Sequence, residues 1–341
     1  MSGVQTIAVG PGEGDQRLDR FLRRRFPQLS QGRIEKACRK GEVRVDGGRV
    51  KSSTRVEEGQ SVRVPPIPDG PAPVPEGQRI SEADAAMMQD AVLHEDEHLI
   101  VLNKPPGLPT QGGTGQARHV DGLSKALDPE ARLVHRLDKD TSGVLLLAKG
   151  RAAAKALTEV FRARETRKIY WAAVAGVPSP RMGTVRYGLV KAPGHGRGGE
   201  NEKMRTVHPR DVDATEGAQR ATTDYAVLEN LAQRAAWCAL VPITGRTHQL
   251  RAHMAALGHP IVGDGKYGGS GQENLGDGWG AQLGGEISRK LHLHARSLSF
   301  DHPFTGGRMT LTAPLPPHMA RTWETLGWDP AHAPADPFED F

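Results

Sequence analysis

One short stretch of the sequence concentrates groups able to do chemistry: His135-Arg136-Leu137-Asp138-Lys139-Asp140-Thr141-Ser142-Gly143. An apolar run before it and a second one after it, Val144 to Ala148, read as two strands holding a polar loop between them. A carboxylate in such a loop, Asp138, is positioned by rigid elements, and an ionised carboxylate can serve as nucleophile or general base. Arg246 stands where an apolar strand, Trp237 to Ile243, meets a helix in which Leu250, Met254 and Leu257 repeat at helical spacing before Gly258 stops it. Binding groups are often found at such junctions. Tyr170 lies in a strand, Arg167 to Ala175, in which Ile169 and Trp171 face one way and Tyr170 the other. Each feature alone is ordinary: a turn carboxylate, a surface arginine, a strand tyrosine.

The elements that must carry these residues follow from hydrophobic spacing. A helix is expected from Arg151 to about Ala163, between the polar loop and the Tyr170 strand. Nearer the N-terminus, Leu18, Phe21, Leu22 and Phe26 mark one short helix. A second starts after Ser30, with Ile34, Ala37 and Cys38 inward and Gly41 as its stop. A hairpin, Val43 to Val50, follows, turning at Asp46-Gly47. Between Asp15 and Arg63 there are 14 basic against 7 acidic residues, whereas the rest of the chain is slightly acidic. Arg33, Lys36 and Lys40 fall on one face of the second helix, and such an excess on a small segment suits a polyanion. Pro65, Pro66, Pro68, Pro71, Pro73 and Pro75 then form a stiff linker. From Trp323 onward the chain carries acids and no Lys or Arg, which reads as a mobile acidic tail.

Composition narrows the function classes. The 341 residues suffice for two domains, and 41 glycines with 25 prolines indicate a loop-rich protein. No apolar run approaches the ~18 residues of a membrane span, and Met1-Ser-Gly-Val-Gln-Thr lacks the blocks of a signal peptide, so a cytoplasmic protein is expected. Cys38 and Cys238 stand far apart in apolar stretches and read as two buried free thiols. Gly194-His-Gly196-Arg-Gly198-Gly199 fits a dinucleotide pattern in spacing but opens no helix. His248, His253, His292 and His294 show no H-E-x-x-H spacing, so no metal site is expected. No P-loop, G-x-S-x-G or carboxylate pair marks a hydrolase.

The string from His135 to Gly143 resembles the signature of the RluA-type family of RNA pseudouridine synthases, and further matches follow in family order. They are Asn103-Lys-Pro-Pro-Gly107, Lys168-Ile-Tyr170-Trp-Ala172, Gly245-Arg246-Thr-His248-Gln-Leu-Arg251, Gly258-His-Pro-Ile-Val-Gly-Asp264 and Leu293-His-Ala295 before Phe300-Asp-His-Pro303. The segment from Arg17-Leu-Asp19 through Val43-Arg-Val-Asp-Gly47 resembles the S4 RNA-binding domain.

The resemblance implies an α+β fold, with a mixed, mainly antiparallel catalytic sheet and flanking helices preceded by a small α–β module. The expected division is an S4 domain over 15–64, a Pro-rich linker over 65–84, a catalytic domain over 85–325 and the acidic tail over 326–341. The implied activity is isomerisation of specific uridines to pseudouridine in ribosomal RNA, with 23S large-subunit RNA or its precursor as partner. It needs no cofactor, metal or membrane, and a monomer is expected; the alternative is a catalytically idle S4-type RNA-binding or ribosome-assembly factor. By the same resemblance Asp138 initiates glycosidic cleavage, by attack on C1′ or by removal of the C2′ proton. Arg246 pairs with Asp138, offsetting its desolvation under a flipped nucleotide. Tyr170 lies against the uracil, Arg136 enters the space the base leaves, His135 and Leu137 frame the loop, and Arg33, Lys36 and Arg39 bind RNA. Gln111 stands where a histidine would be expected in large-subunit relatives. Residues 192–219 and 270–286, Gly-rich and without a family pattern, are expected as mobile loops.

Overall fold

Apolar spacing and turn chemistry build the N-terminal unit, Met1–Arg79. The computed structural model describes residues 3–67, 80–112, 118–163, 166–192, 203–268 and 287–339. The unit contains β1 (Gln5–Ala8), β2 (Gln16–Arg17), α1 (Leu18–Arg25), α2 (Gln31–Lys40), β3 (Arg44–Val45), β4 (Gly48–Arg49), β5 (Arg55–Val56) and β6 (Ser61–Val64). Ser30 caps α2 by accepting the Arg33 N–H, and Gly41 ends it in a left-handed conformation. The hairpin turns at Asp46 (φ 47°) and Gly47 (φ 77°), and the Asp46 carboxylate accepts the Ser61 N–H at 2.8 Å. Leu18, Phe21, Leu22, Ile34 and Val62 fill the core, while Arg33, Lys36 and Arg39 remain exposed on α2.

The second unit, Ile80–Phe341, is organised by one large sheet. In chain order it has α3 (Glu82–Asp90), β7 (Val92–Glu95), β8 (Leu99–Lys104), α4 (Val120–Leu123), β9 (Ala131–Leu133), β10 (Ser142–Lys149), α5 (Gly150–Ala163) and β11 (Arg167–Ala175). Then come β12 (Met182–Val185), β13 (Gly188–Lys191), β14 (Met204–Val207), β15 (Gln219–Arg220), β16 (Thr223–Leu231), β17 (Ala235–Pro242), α6 (Gln249–Ala256), β18 (Leu293–Asp301), β19 (Arg308–Thr312) and α7 (Pro317–Leu326). The sheet runs β12-β16-β17-β11-β18-β10-β8-β7, with β9 beside β10 and β19 beside β18. Every pairing is antiparallel except β10 with β18. Strand β10 is covered on both faces. Val144, Leu146 and Ala148 pack with Leu157 of α5, and Leu145 and Leu147 with Met88 of α3 and Leu123 of α4.

Gly143, the second residue of β10, has φ 108°, and a Cβ on it would lie 2.2 Å from the Ala295 carbonyl oxygen. Only glycine lets the loop ahead of it join the parallel β10–β18 contact.

Three expectations are corrected. The end of the linker is helical: Ser81 caps α3, so residues 82–84 belong to the second unit, while 68–79 lie outside the described residues. The chain after Trp323 does not leave the core. Trp328 and Phe338 are buried beside Trp171, Trp237 and Trp323, and both Asp336 oxygens accept hydrogen bonds from Arg167 at 2.8 Å. The apolar burial of two large rings outweighs the acidity that suggested a free tail. Within the expected loop over 192–219, Met204–Val207 form β14 and Gln219 opens β15, and these strands flank β13 in a separate three-stranded sheet. Residues 193–202, with the glycine-rich string, and 270–286 lie outside the described residues.

Four imidazoles are built into the interior as hydrogen-bonding groups. His135 Nε2 accepts the Leu146 N–H, His253 pairs with Thr223, His292 with Thr322, and His294 with Ser142. Burial pulls their pKa values down from 6.5, to about 3 for His135 and about 4 for the other three. Between those values and 6.5 the unfolded chain binds more protons than the folded one, so stability falls as pH falls. The melting temperature should hold down to about pH 6.5 and drop steadily toward about pH 4; a flat profile across that window would contradict neutral buried imidazoles.

Candidate active site

The loop from His135 to Thr141 is fastened at alternate residues. His135 is stacked on Phe161 and bonded to the Leu146 N–H at 2.9 Å. Leu137 is buried, its carbonyl accepting from the Thr110 hydroxyl (2.7 Å) and its N–H donating back to the same oxygen (3.2 Å). The Lys139 carbonyl accepts from Lys104 Nζ (3.0 Å) and from the Gly107 N–H (2.9 Å). With His135 stacked and Leu137 buried, Arg136 and Asp138 turn the other way, and a turn closed by the Thr141 N–H on the Asp138 carbonyl follows. Arg136 and Asp140 are exposed, and the Asp138 side chain retains 28% of its accessible surface.

Lys104 ties this loop to the one before it. Its fully buried ammonium also donates to the carbonyls of Pro105 and Leu108, both at 2.9 Å. Burial draws its pKa down to about 7, with Asp140 and Asp138 opposing the fall. Three carbonyl acceptors use all three hydrogens of an ammonium, which a neutral amine could not supply.

The arginine beside Asp138 is Arg251, one helical position after the buried Leu250. Its Nη1 lies 3.6 Å from Asp138 Oδ2, while Nε and Nη2 grip Asp264 at 2.7 and 2.8 Å. Both side chains of that fork are buried, and the two carboxylates, chiefly Asp264, raise the arginine pKa against the burial that lowers it. The expected pairing of Asp138 with Arg246 is therefore corrected. The Gln249 amide, buried and bonded to the Thr244 hydroxyl, the Arg246 N–H, the Thr222 carbonyl and the Thr223 hydroxyl, locks the 244–249 turn. That turn leaves the Arg246 side chain exposed, its Nε 3.4 Å from the Arg220 carbonyl.

Sequence reading missed Arg251 because a charged residue in an amphipathic helix is ordinarily assigned to the wet face. The available signal was a matching opposite charge, Asp264, inside the apolar Ile261-Val-Gly stretch.

Tyr170 sits at a bulge between Ile169 and Tyr170 in the β11–β18 ladder, on the sheet face that packs against Leu137 and Leu145. Burial and the negative charge of Asp138 push its phenol well above its usual pKa, so it is a protonated donor at neutral pH. His248, treated above only as a rejected metal ligand, comes within 3.9 Å of the same Asp138 oxygen. The structure thus brings Asp138, Tyr170, Arg251 and His248 together and leaves Arg136 projecting from the loop. Arg33, Lys36 and Arg39 lie in the other unit as an exposed face of α2.

The chain matches the family model described as RNA pseudouridylate synthase over residues 98–256 and the S4 domain model over 16–62. It is 37% identical over 333 residues to "Ribosomal large subunit pseudouridine synthase C" of Escherichia coli strain K12, covering 95% of this chain and 97% of that one. The protein of the same name from Vibrio cholerae is 35% identical over 322 residues, with 93% and 95% covered. Among solved structures, "Human RNA Pseudouridylate Synthase Domain Containing 4" superposes with a TM-score of 0.56 at 31% identity, covering 71% of this chain and 95% of that one.

The two arginines separate in a stability measurement. Arg251→Met strands the buried Asp264 carboxylate and should cost about 3–5 kcal/mol, whereas Arg246→Ala, at an exposed site, should fall within about 0.5 kcal/mol of wild type. Urea denaturation of both variants checks the assignment, and equal losses would refute it.

Proposed function

The chain belongs to the RNA pseudouridylate synthase family, and we propose from that membership that it converts specific uridines of large-subunit ribosomal RNA to pseudouridine. The relatives named for that RNA, similar along nearly the whole chain, support the substrate. The observation that carries the chemistry is the Asp138 carboxylate, partly accessible on a fastened loop and backed by a buried guanidinium.

The reaction is an internal rearrangement: the C1′–N1 bond breaks, the uracil turns in place, C5 bonds to C1′ and the C5 proton leaves. Asp138 initiates the cleavage. Arg251 stabilises its negative charge where a nucleotide lying over it excludes water. Tyr170 offers the uracil a ring face and a protonated phenol. Arg136, exposed beside Asp138, supplies a planar cation that fills the stack when the base leaves it, offsetting part of the few kcal/mol of lost stacking. Arg33, Lys36 and Arg39 serve as phosphate contacts of the S4 unit.

Two experiments test this reading. Carbodiimide-based mapping of ribosomal RNA from a deletion strain should lose defined pseudouridines, which return with wild type but not with Asp138→Asn; an unchanged map would overturn the proposal. Reversing Arg33, Lys36 or Arg39 to Glu should weaken binding to transcribed 23S RNA and flatten its dependence on log salt by roughly one unit per lost contact. An unaltered salt slope would remove the S4 face from the interface.

A further inference from the structure

His248 has a backbone that ordinary residues avoid, at φ 52° and ψ 22°, immediately before α6. A non-glycine residue held in the left-handed region stores strain, which persists where surrounding structure over-determines it. Here that surrounding structure is the Asp138 site. The imidazole is largely buried, with Nε2 3.9 Å from Asp138 Oδ2 and Nδ1 2.9 Å from the Tyr267 hydroxyl. The same hydroxyl accepts the Met204 N–H at 2.8 Å.

That chain of contacts favours one direction for each proton. With one side of its oxygen taken by Met204, Tyr267 has a hydrogen to donate, and the acceptor it meets among the described residues is His248 Nδ1. The ring proton then resides on Nε2 and faces the carboxylate. Burial holds His248 below its usual pKa against the pull of Asp138, and the Tyr267 phenol is pushed up to about 12, so both remain neutral at working pH. The charged groups around the ring are Asp138, Asp264, Arg251 and Lys266.

The closest approaches of Arg251, through Nη1, and of His248, through Nε2, are both to Oδ2 of Asp138, at 3.6 and 3.9 Å. We propose that His248, its tautomer set by Tyr267, is a positioning residue that steadies the Asp138 carboxylate together with Arg251. This rests on Asp138 being the initiating carboxylate.

The test uses the full-length protein and transcribed 23S RNA carrying tritium at uridine C5, with single-turnover tritium release and RNA binding measured separately. His248→Asn tolerates the left-handed backbone but is too short to reach Asp138, and it should slow release about 10- to 100-fold with RNA affinity within about threefold of wild type. His248→Gln, which can place an N–H near the same spot, should recover part of the rate. Tyr267→Phe removes the hydrogen bond that favours the neutral ring, so the rate should acquire a new acid limb absent from wild type, and ring ¹⁵N spectra should show the Nδ1-bare tautomer in wild type alone. Wild-type rates in all three variants, or a protonated Nδ1 in the wild-type spectrum, would overturn the proposal. Absence of tritium release from the wild type would instead overturn the functional reading on which it rests.

Discussion

The site depends on a guanidinium that has been taken out of water and must be compensated there. Arg251 meets that requirement with a bidentate grip on Asp264, whose Oδ1 also accepts the Lys266 and Tyr267 N–H groups. The planar fork uses Nε and Nη2 on the structural carboxylate and leaves Nη1 for Asp138. A lysine, with one charged atom on a flexible stem, could not hold one carboxylate bidentately and address a second in a fixed direction. Asp264 therefore does for the arginine what the arginine does for Asp138: each partner's position is set by a more deeply buried one behind it.

The same logic governs the carboxylate's own loop. Thr110 saturates the Leu137 backbone, and Lys104 joins the carbonyls of Pro105, Leu108 and Lys139 into one cluster. These contacts fasten the loop through its backbone, separately from those that the Asp138 side chain makes with Arg251 and His248. Gly143 completes the arrangement by permitting contact with Ala295 closer than any side chain allows. Most of the polar groups needed to hold the loop are on the backbone, which explains how a string dense in charge can be so well ordered.

Much of this was readable from residue spacing. The α2 cap at Ser30, the Asp46-Gly47 turn, the β11 alternation and the helix ended by Gly258 all rest on local backbone preferences, which neighbouring sequence determines. The Asp138 loop was recognisable for the same reason, as a polar insert between two apolar runs. What could not be read was long-range pairing. Arg246 and Arg251 differ in role because the Gln249 amide turns one outward and Asp264 draws the other inward, and neither contact is written in the spacing of the helix. The acidic C-terminal stretch misled in the opposite sense. Its charge was visible, but the docking of Trp328 and Phe338 against Trp237 and Trp323 was set by a surface assembled from distant strands.

Tyr170 shows how this enclosure limits the chemistry available. A buried phenol beside a carboxylate cannot readily ionise, because desolvation and the carboxylate's charge act in the same direction. Ionising Tyr170 would place a second negative charge against Asp138, while the adjoining Arg251 is already divided between two carboxylates. The arrangement therefore favours a single anion, at Asp138, and a neutral donor opposite it. A tyrosine so placed can donate a hydrogen bond but is poorly suited to act as a base. The difference between the two residues follows from where the Arg251 guanidinium has been placed.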